Sequence, residues 1–123
     1  MSEVVVLGAS SNPGRYANMC LNLLAEKGHS PIPVNPKETM ILGHYCYQNL
    51  AALKKDHPAV DTLTIYVNPE LSTKMEDEIL ELAPKRVIFN PGSENSHLQK
   101  LLEAKNIICE EACTLVLLRT GQF

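Results

Sequence analysis

Short β-branched and apolar runs alternate along this chain with stretches in which apolar positions recur every three or four residues. Val4 to Leu7 is a continuous apolar run, the pattern of a strand covered on both faces. Tyr16, Met19, Cys20, Leu23 and Leu24 then fall on one stripe of a helix that Gly28 stops. Pro31 to Val34 closes a βαβ unit. From Asn35 to His44 the pattern is lost, which predicts a long loop before a short helix over Asn49 to Lys55. Thr62 to Val67 is the next strand, and Leu71, Met75, Ile79 and Leu82 predict one helix whose acidic face, Glu76, Asp77, Glu78 and Glu81, is solvated. Pro84 ends that helix. Arg86 to Phe89 is a strand, Leu98, Leu101 and Leu102 form the inner face of a helix with Asn106 as its C-cap, and Ile107 to Cys109 is a fifth strand. Thr114 to Phe123 is expected to fold back as a short helix. Strands alternating with helices imply an α/β protein with a five-stranded parallel sheet.

Composition narrows the picture. A length of 123 residues predicts one domain over residues 1–123, with no room for a second, catalytic one. Hydrophobic residues make up 45% of the chain without any run long enough to span a bilayer, so no membrane partner is expected. A net charge of −3, with only 11 Lys and Arg, argues against a nucleic-acid surface and means that any anionic ligand is held locally. Met1-Ser2-Glu3 leads directly into the first strand with no signal-type segment, so the expected location is cytoplasmic. Cys20, Cys46, Cys109 and Cys113 lack Cys-x-x-Cys spacing and read as thiols in a reducing compartment. The four histidines are scattered, so no metal site is expected. A homo-oligomer is compatible with all of this.

Four Asn-Pro dipeptides punctuate the chain: Asn12-Pro13, Asn35-Pro36, Asn68-Pro69 and Asn90-Pro91. Proline cannot donate to a ladder and biases the preceding residue toward extended geometry, so each dipeptide ends a strand or opens a helix. In an open parallel sheet ligands bind at the carboxyl ends of the strands, where these loops gather. The first loop, Gly8-Ala9-Ser10-Ser11-Asn12-Pro13-Gly14-Arg15, has the features of a phosphate-binding strand-to-helix turn. Gly8 lets the backbone leave the strand, Asn12 is the expected N-cap, and Pro13 suits the first helical position. Ser10, Ser11 and Arg15 add hydroxyls and a guanidinium to the free helical amides. Taken singly, the later loops read equally as strand termination followed by helix capping, with Ser93 or Asn95 as the cap of the last pair.

A nicotinamide fingerprint fits poorly, because the G-x-G-x-x-G template laid from Gly8 meets Ser10 and Pro13. The second strand ends in Val34-Asn35-Pro36-Lys37 rather than in Asp or Glu, and Lys37 suits a phosphorylated ribose or a diphosphate. An NAD(P)-binding oxidoreductase, or a nucleotide-binding fragment related to one, is nevertheless the alternative that the βαβ start allows. A phospho-receiver domain lacks its acceptor aspartate at Leu7-Gly8 and at Asn68-Pro69.

With Gly8-Ala9-Ser10, Val34-Asn35-Pro36, Tyr66-Val67-Asn68-Pro69 and Asn90-Pro91-Gly92 in this order, nearly the whole chain resembles the small single-domain CoA-binding proteins. That family is similar to the N-terminal CoA-binding domain of the succinyl-CoA synthetase α subunit. The resemblance implies a Rossmann-like three-layer αβα fold and coenzyme A, or an acyl-CoA, as ligand. It places Ala9, Ser10, Asn12 and Arg15 around the CoA phosphates, where the turn itself adds Gly8, Ser11 and Pro13 as candidates, with Val34, Asn35, Pro36 and Lys37 toward the adenosine. Val67, Asn68 and Pro69 line the pantetheine side. Asn90 and Gly92 stand where the family has a Gln-x-Gly-like element, and Glu111 and Cys113 match an acidic-x-Cys element. The synthetase's phosphorylated histidine belongs to domains outside this length, so the expected function is binding without catalysis. No catalytic residue is assigned.

Overall fold

The computed structural model describes residues 2–123. Its centre is the apolar run expected first: β1 (Glu3–Leu7) lies between β2 (Ser30–Val34) and β5 (Thr62–Ile65). The sheet continues to β6 (Arg86–Phe89) and β7 (Ile108–Glu111), giving the order β2-β1-β5-β6-β7 with every pair parallel. Because β1 has a strand on each side and a helix layer on each face, its side chains are apolar in both directions. Successive residues alternate between the faces. Val4 and Val6 pack with Cys20, Leu21 and Leu24 of α1 (Tyr16–Glu26) and with Leu115 and Leu118 of α6 (Thr114–Arg119). Val5 and Leu7 join Leu63, Val87 and Phe89 on the opposite face. There they meet Leu53 of α2 (Leu50–Asp56), Ile79 of α4 (Glu76–Leu82) and Leu98 and Leu102 of α5 (Ser96–Glu103). The result is the Rossmann-like αβα sandwich. Truncating Phe89, which is fully buried, would cost roughly 3–5 kcal/mol.

β2 carries Pro31 and Pro33, which an edge strand tolerates. Its outer side is closed by Tyr47, whose amide donates to the Pro33 carbonyl at 3.0 Å and whose carbonyl accepts from the Asn35 amide at 2.9 Å. Tyr47 follows a small antiparallel hairpin, β3 (Met40–Ile41) and β4 (His44–Tyr45), inside the stretch expected to be loop. The hairpin is too short to show a period of two. Leu42 at φ 51° and Gly43 at φ 79° supply the two left-handed residues of its tight turn.

The long helix expected from Leu71 to Leu82 is two helices. α3 (Pro69–Lys74) stops at Met75, where α4 begins. Leu71, assigned to the buried stripe, is exposed. The inward position of α3 belongs instead to Ser72, whose hydroxyl accepts from Asn95 Nδ2 at 2.9 Å, and Thr73 Oγ1 accepts from the same amide at 3.1 Å. Tyr16 likewise leaves its stripe and is 66% exposed, because the inner face of α1 is set by Ala17, Cys20, Leu21 and Leu24. Leu101 is only half-buried beside Leu98 and Leu102. Strand limits also shift: β1 and β2 each begin one residue earlier, β5 stops at Ile65, and β7 runs from Ile108 to Glu111. Asn106, expected as the C-cap, is instead two residues beyond Ala104, the residue that caps α5, and is left-handed at φ 63°. Among the described residues no helix is long and apolar enough to cross a membrane.

Candidate functional site

The sheet order turns back at the boundary between β1 and β5, and in such sheets the crevice forms outside the strand ends at that point. Here the boundary is made by Gly8 and Val67. Gly8 has φ +87°, and a β-carbon on it would meet Val67 Cγ1 at 2.9 Å and the Tyr66 carbonyl carbon at 3.2 Å. Both the backbone angle and the close approach therefore demand glycine. The Gly8 and Ala9 amides each donate to the Val34 carbonyl at 3.1 Å, which pins the exit of β1 against the end of β2.

A cleft lies on each side of this ridge. The larger, about 560 Å³, is bounded by Ala9, Ser10, Arg15, Tyr16, Asn35 and Tyr66 together with Gly8, Val67 and Pro91. The smaller, about 230 Å³, is apolar, with Leu7, Val34, Pro36, Leu71 and Met75 among its walls and Asn49 and Glu78 at its polar side. Gly8 and Val67 border both.

The turn above the larger cleft is built differently from the expected cap. Asn12 Oδ1 accepts from the Gly14 amide at 2.9 Å, and the Asn12 amide donates to Ser10 Oγ at 3.0 Å. This closes an Asx turn before the helix instead of capping it. The N-cap is Arg15, extended at φ −88° and ψ 141° and without a side-chain cap bond, so Pro13 lies ahead of the first helical position. The first amides of an α-helix have no intrahelical acceptor. Tyr16 and Ala17, which carry the first two amides of α1, border the larger cleft at the positive end of the helix dipole. Arg15 is exposed and pairs with no carboxylate among the described residues. Asn18 Nδ2 donates to the Ser10 carbonyl at 2.9 Å and ties the turn to α1.

Ala9, Ser10, Arg15 and Asn35 border the larger cleft, Val34 and Pro36 the smaller. Ser11, Asn12, Pro13 and Lys37 are exposed on the rim and line neither. Asn35 bridges the first two loops, donating from Nδ2 to the Ala9 carbonyl at 2.7 Å and accepting the Lys37 amide at 2.8 Å. Asn68 and Pro69 serve α3: Asn68 Oδ1 accepts the Leu71 amide at 2.9 Å, and Pro69 stands at the first helical position. Asn90 is buried. Its Nδ2 donates to Thr64 Oγ1 at 2.7 Å and to the Ile65 carbonyl at 2.9 Å, while Oδ1 accepts the Thr114 amide at 2.9 Å. Gly92 is exposed outside both clefts at φ 92°, and its amide donates to Glu94 Oε1 at 2.9 Å.

Sequence reasoning missed Tyr16 and Pro91 on the larger cleft, and Gln48, Asn49, Leu71, Met75 and Glu78 on the smaller. Exposed tyrosine and leucine on predicted helix stripes were the available signal, visible only once the helix faces are known. Tyr66 lines the floor, and its hydroxyl is buried beside Cys20 and Thr114 without a well-aligned hydrogen-bond partner. Burial pushes the Tyr66 phenol up and the Cys20 thiol up to about 12, so both are neutral near pH 7. Among the described residues no group of three or more His, Cys, Asp or Glu side chains is gathered that could hold a metal ion.

Residues 2–119 match the model of a family described as a CoA binding domain. The chain belongs to that family. This CoA-binding domain has close counterparts among solved structures. An uncharacterized protein is 38% identical, with 100% of this chain and 98% of that one aligned and a TM-score of 0.86. A conserved hypothetical protein from Pyrococcus furiosus is 31% identical over 89% of this chain and 92% of its own, with a TM-score of 0.76. A protein from Thermus thermophilus is 27% identical over 99% and 90% of the two chains, with a TM-score of 0.87. No curated protein matches the chain.

Proposed function

We propose that this CoA-binding domain acts as a single-domain, non-catalytic module for coenzyme A or an acyl-CoA, held across the Gly8–Val67 ridge. The observation that carries the reading is the pair of clefts joined at that ridge, one apolar and one headed by an uncapped helix start beside Arg15. The adenine ring occupies the apolar cleft between Val34, Pro36 and Leu71. The diphosphate crosses Gly8, where absence of a side chain lets it approach the backbone, and reaches the Tyr16 and Ala17 amides. Lys37 on the rim faces the ribose phosphate, and the pantetheine arm leaves past Tyr66 and Pro91.

Tyr66 on the larger cleft and Cys20 beside it support the non-catalytic part of the reading. Tyr66 and Cys20 are held neutral by burial, which suits neither a general base nor a thiolate nucleophile at neutral pH. All four cysteines are free thiols, in keeping with a reducing, cytoplasmic setting.

Titration calorimetry and thermal melting with CoA, acetyl-CoA, NADH and NADPH test the reading. CoA at about 100 times its dissociation constant is expected to stabilise the fold by about 2.7 kcal/mol, with NADH and NADPH giving no comparable shift. Absence of both heat and stabilisation with millimolar CoA would overturn it.

A further inference from the structure

One donor of the anion-binding turn is already in use. The Ser11 amide donates to Glu38 Oε2 at 3.1 Å, which lays a carboxylate from the loop after β2 across the turn between β1 and α1. We propose that Glu38 is an internal competitor for the ligand's anionic group, a carboxylate latch at the edge of the larger cleft that a phosphate reaching the Ser11 amide must displace. This inference rests on the CoA reading above.

A single amide hydrogen cannot serve a carboxylate and a phosphate at full strength together, and two anions sharing one turn repel each other. A phosphate that takes the Ser11 amide, beside Ser10 of the larger cleft, therefore requires Glu38 to leave it. The loop is arranged so that little else has to move. Asn35 is fixed to the Ala9 carbonyl at 2.7 Å, and the Thr39 carbonyl accepts the Cys46 amide at 2.9 Å. Between these anchors lie Pro36 and Lys37, both exposed, and half-exposed Glu38. A rotation of the Glu38 side chain is enough to free the amide while both anchors stay in place.

The latch also selects among anions. A ligand making one contact at Ser11 only exchanges one anion for another there. A diphosphate that also engages the first amides of α1 and Arg15 gains contacts that Glu38 never had. Discrimination against small monoanions then arises from the competitor as well as from the binding groups.

Calorimetric titration of the intact chain with CoA and with inorganic pyrophosphate, in wild type, Glu38→Gln and Glu38→Ala, is the test. Removing the carboxylate in Glu38→Ala is expected to tighten both ligands by about 5–10-fold. Glu38→Gln, which keeps an acceptor for Ser11 but no charge, is expected to lie between Glu38→Ala and wild type. Thermal melting confirms that each variant is folded. If wild type binds CoA and the variants bind it equally or more weakly, the latch is overturned while the CoA reading stands. If no protein of the three binds either ligand, both fall.

Discussion

The tripeptide Asn-Pro-Gly occurs twice at the carboxyl edge of the sheet, at Asn12-Pro13-Gly14 and at Asn90-Pro91-Gly92, and the two copies do opposite work. In the first, Asn12 is exposed and its side chain accepts one bond, from the Gly14 amide two residues on. In the second, Asn90 is 2% exposed, and the two ends of its amide bond to two other elements: Thr64 and Ile65 in β5, and Thr114 at the start of α6. Thr64 and Thr114 complete the network with a hydroxyl contact of 2.8 Å. One loop is left open at the surface, leading into Arg15 and the first turn of α1 beside a cleft, while the other is sealed into the core. The difference lies in the surroundings: β6 is flanked by β5 and β7 and its end meets the start of α6, whereas the turn after β1 stands where the strand order reverses.

The sharpest test of the contrast is Asn90→Ala. It leaves Thr64, Ile65 and Thr114 each short of a buried partner, and is expected to cost roughly 2–4 kcal/mol, lowering Tm by on the order of 10 °C. Calorimetric melting reads this directly. A loss of less than about 1 kcal/mol would mean that the network is no stronger than a surface turn. A Tm loss is also expected without CoA, because the network touches no ligand atom in the proposed complex.

High pH should attack the same sealed side. Tyr66 lies between Cys20 and Thr114, and Tyr66 and Cys20 are both raised by burial, Cys20 from 9.0 to about 12. A group whose folded pKa lies above its unfolded one keeps its proton longer in the folded state, so its stabilisation is complete below the unfolded value and lost above it. Tm is expected to fall progressively from about pH 9 toward 12, and Cys20→Ala should make that decline shallower. A Tm unchanged over this range would show that water reaches both groups.

Salt and charge should act on the open side. Arg15→Ala is expected to weaken CoA binding about tenfold, with Tm in the absence of ligand unchanged because the guanidinium is exposed and unpaired. Raising ionic strength should narrow the gap between wild type and variant. An equal loss of Tm and of affinity would move Arg15 from ligand binding to structure.

How far these roles can be read from the chain depends on what each residue's neighbours are. The five strands and the first helix follow from apolar runs and spacing, because burial on two faces leaves a plain mark on Val4 to Leu7 and on Arg86 to Phe89. Gly8 is legible for a similar reason: a strand that must turn sharply needs it. The break at Met75 is not legible, since Leu71, Met75, Ile79 and Leu82 keep helical spacing across it, and only the long-range bonds of Asn95 to Ser72 and Thr73 show which side of α3 faces in. The hairpin at Met40–Tyr45 is too short for any period. The site divides the same way. Positions that line the clefts from strand ends, such as Ala9, Asn35 and Val67, are placed by the topology. Glu38 and Asn90 take their roles from contacts 27 and 24 to 26 residues away in sequence, which no local pattern carries.

The finest test of the contrast exchanges one atom for another. Asn→Asp keeps an acceptor oxygen and removes the amide donor, so its cost depends on which end of the side chain is used. Asn12 uses only its oxygen, toward the Gly14 amide, and Asn12→Asp should therefore melt within about 2 °C of wild type. Its new negative charge sits on the rim of the anion site, so CoA affinity should fall by about two- to threefold, and less at high salt. Asn90 donates from Nδ2 to Thr64 and Ile65, and Asn90→Asp would aim a carboxylate at the Ile65 carbonyl in a buried site. That variant should melt nearly as low as Asn90→Ala. If the two aspartates destabilise equally, the open loop is held as firmly as the sealed one, and the turn after β1 is a structural corner rather than the edge of a binding site.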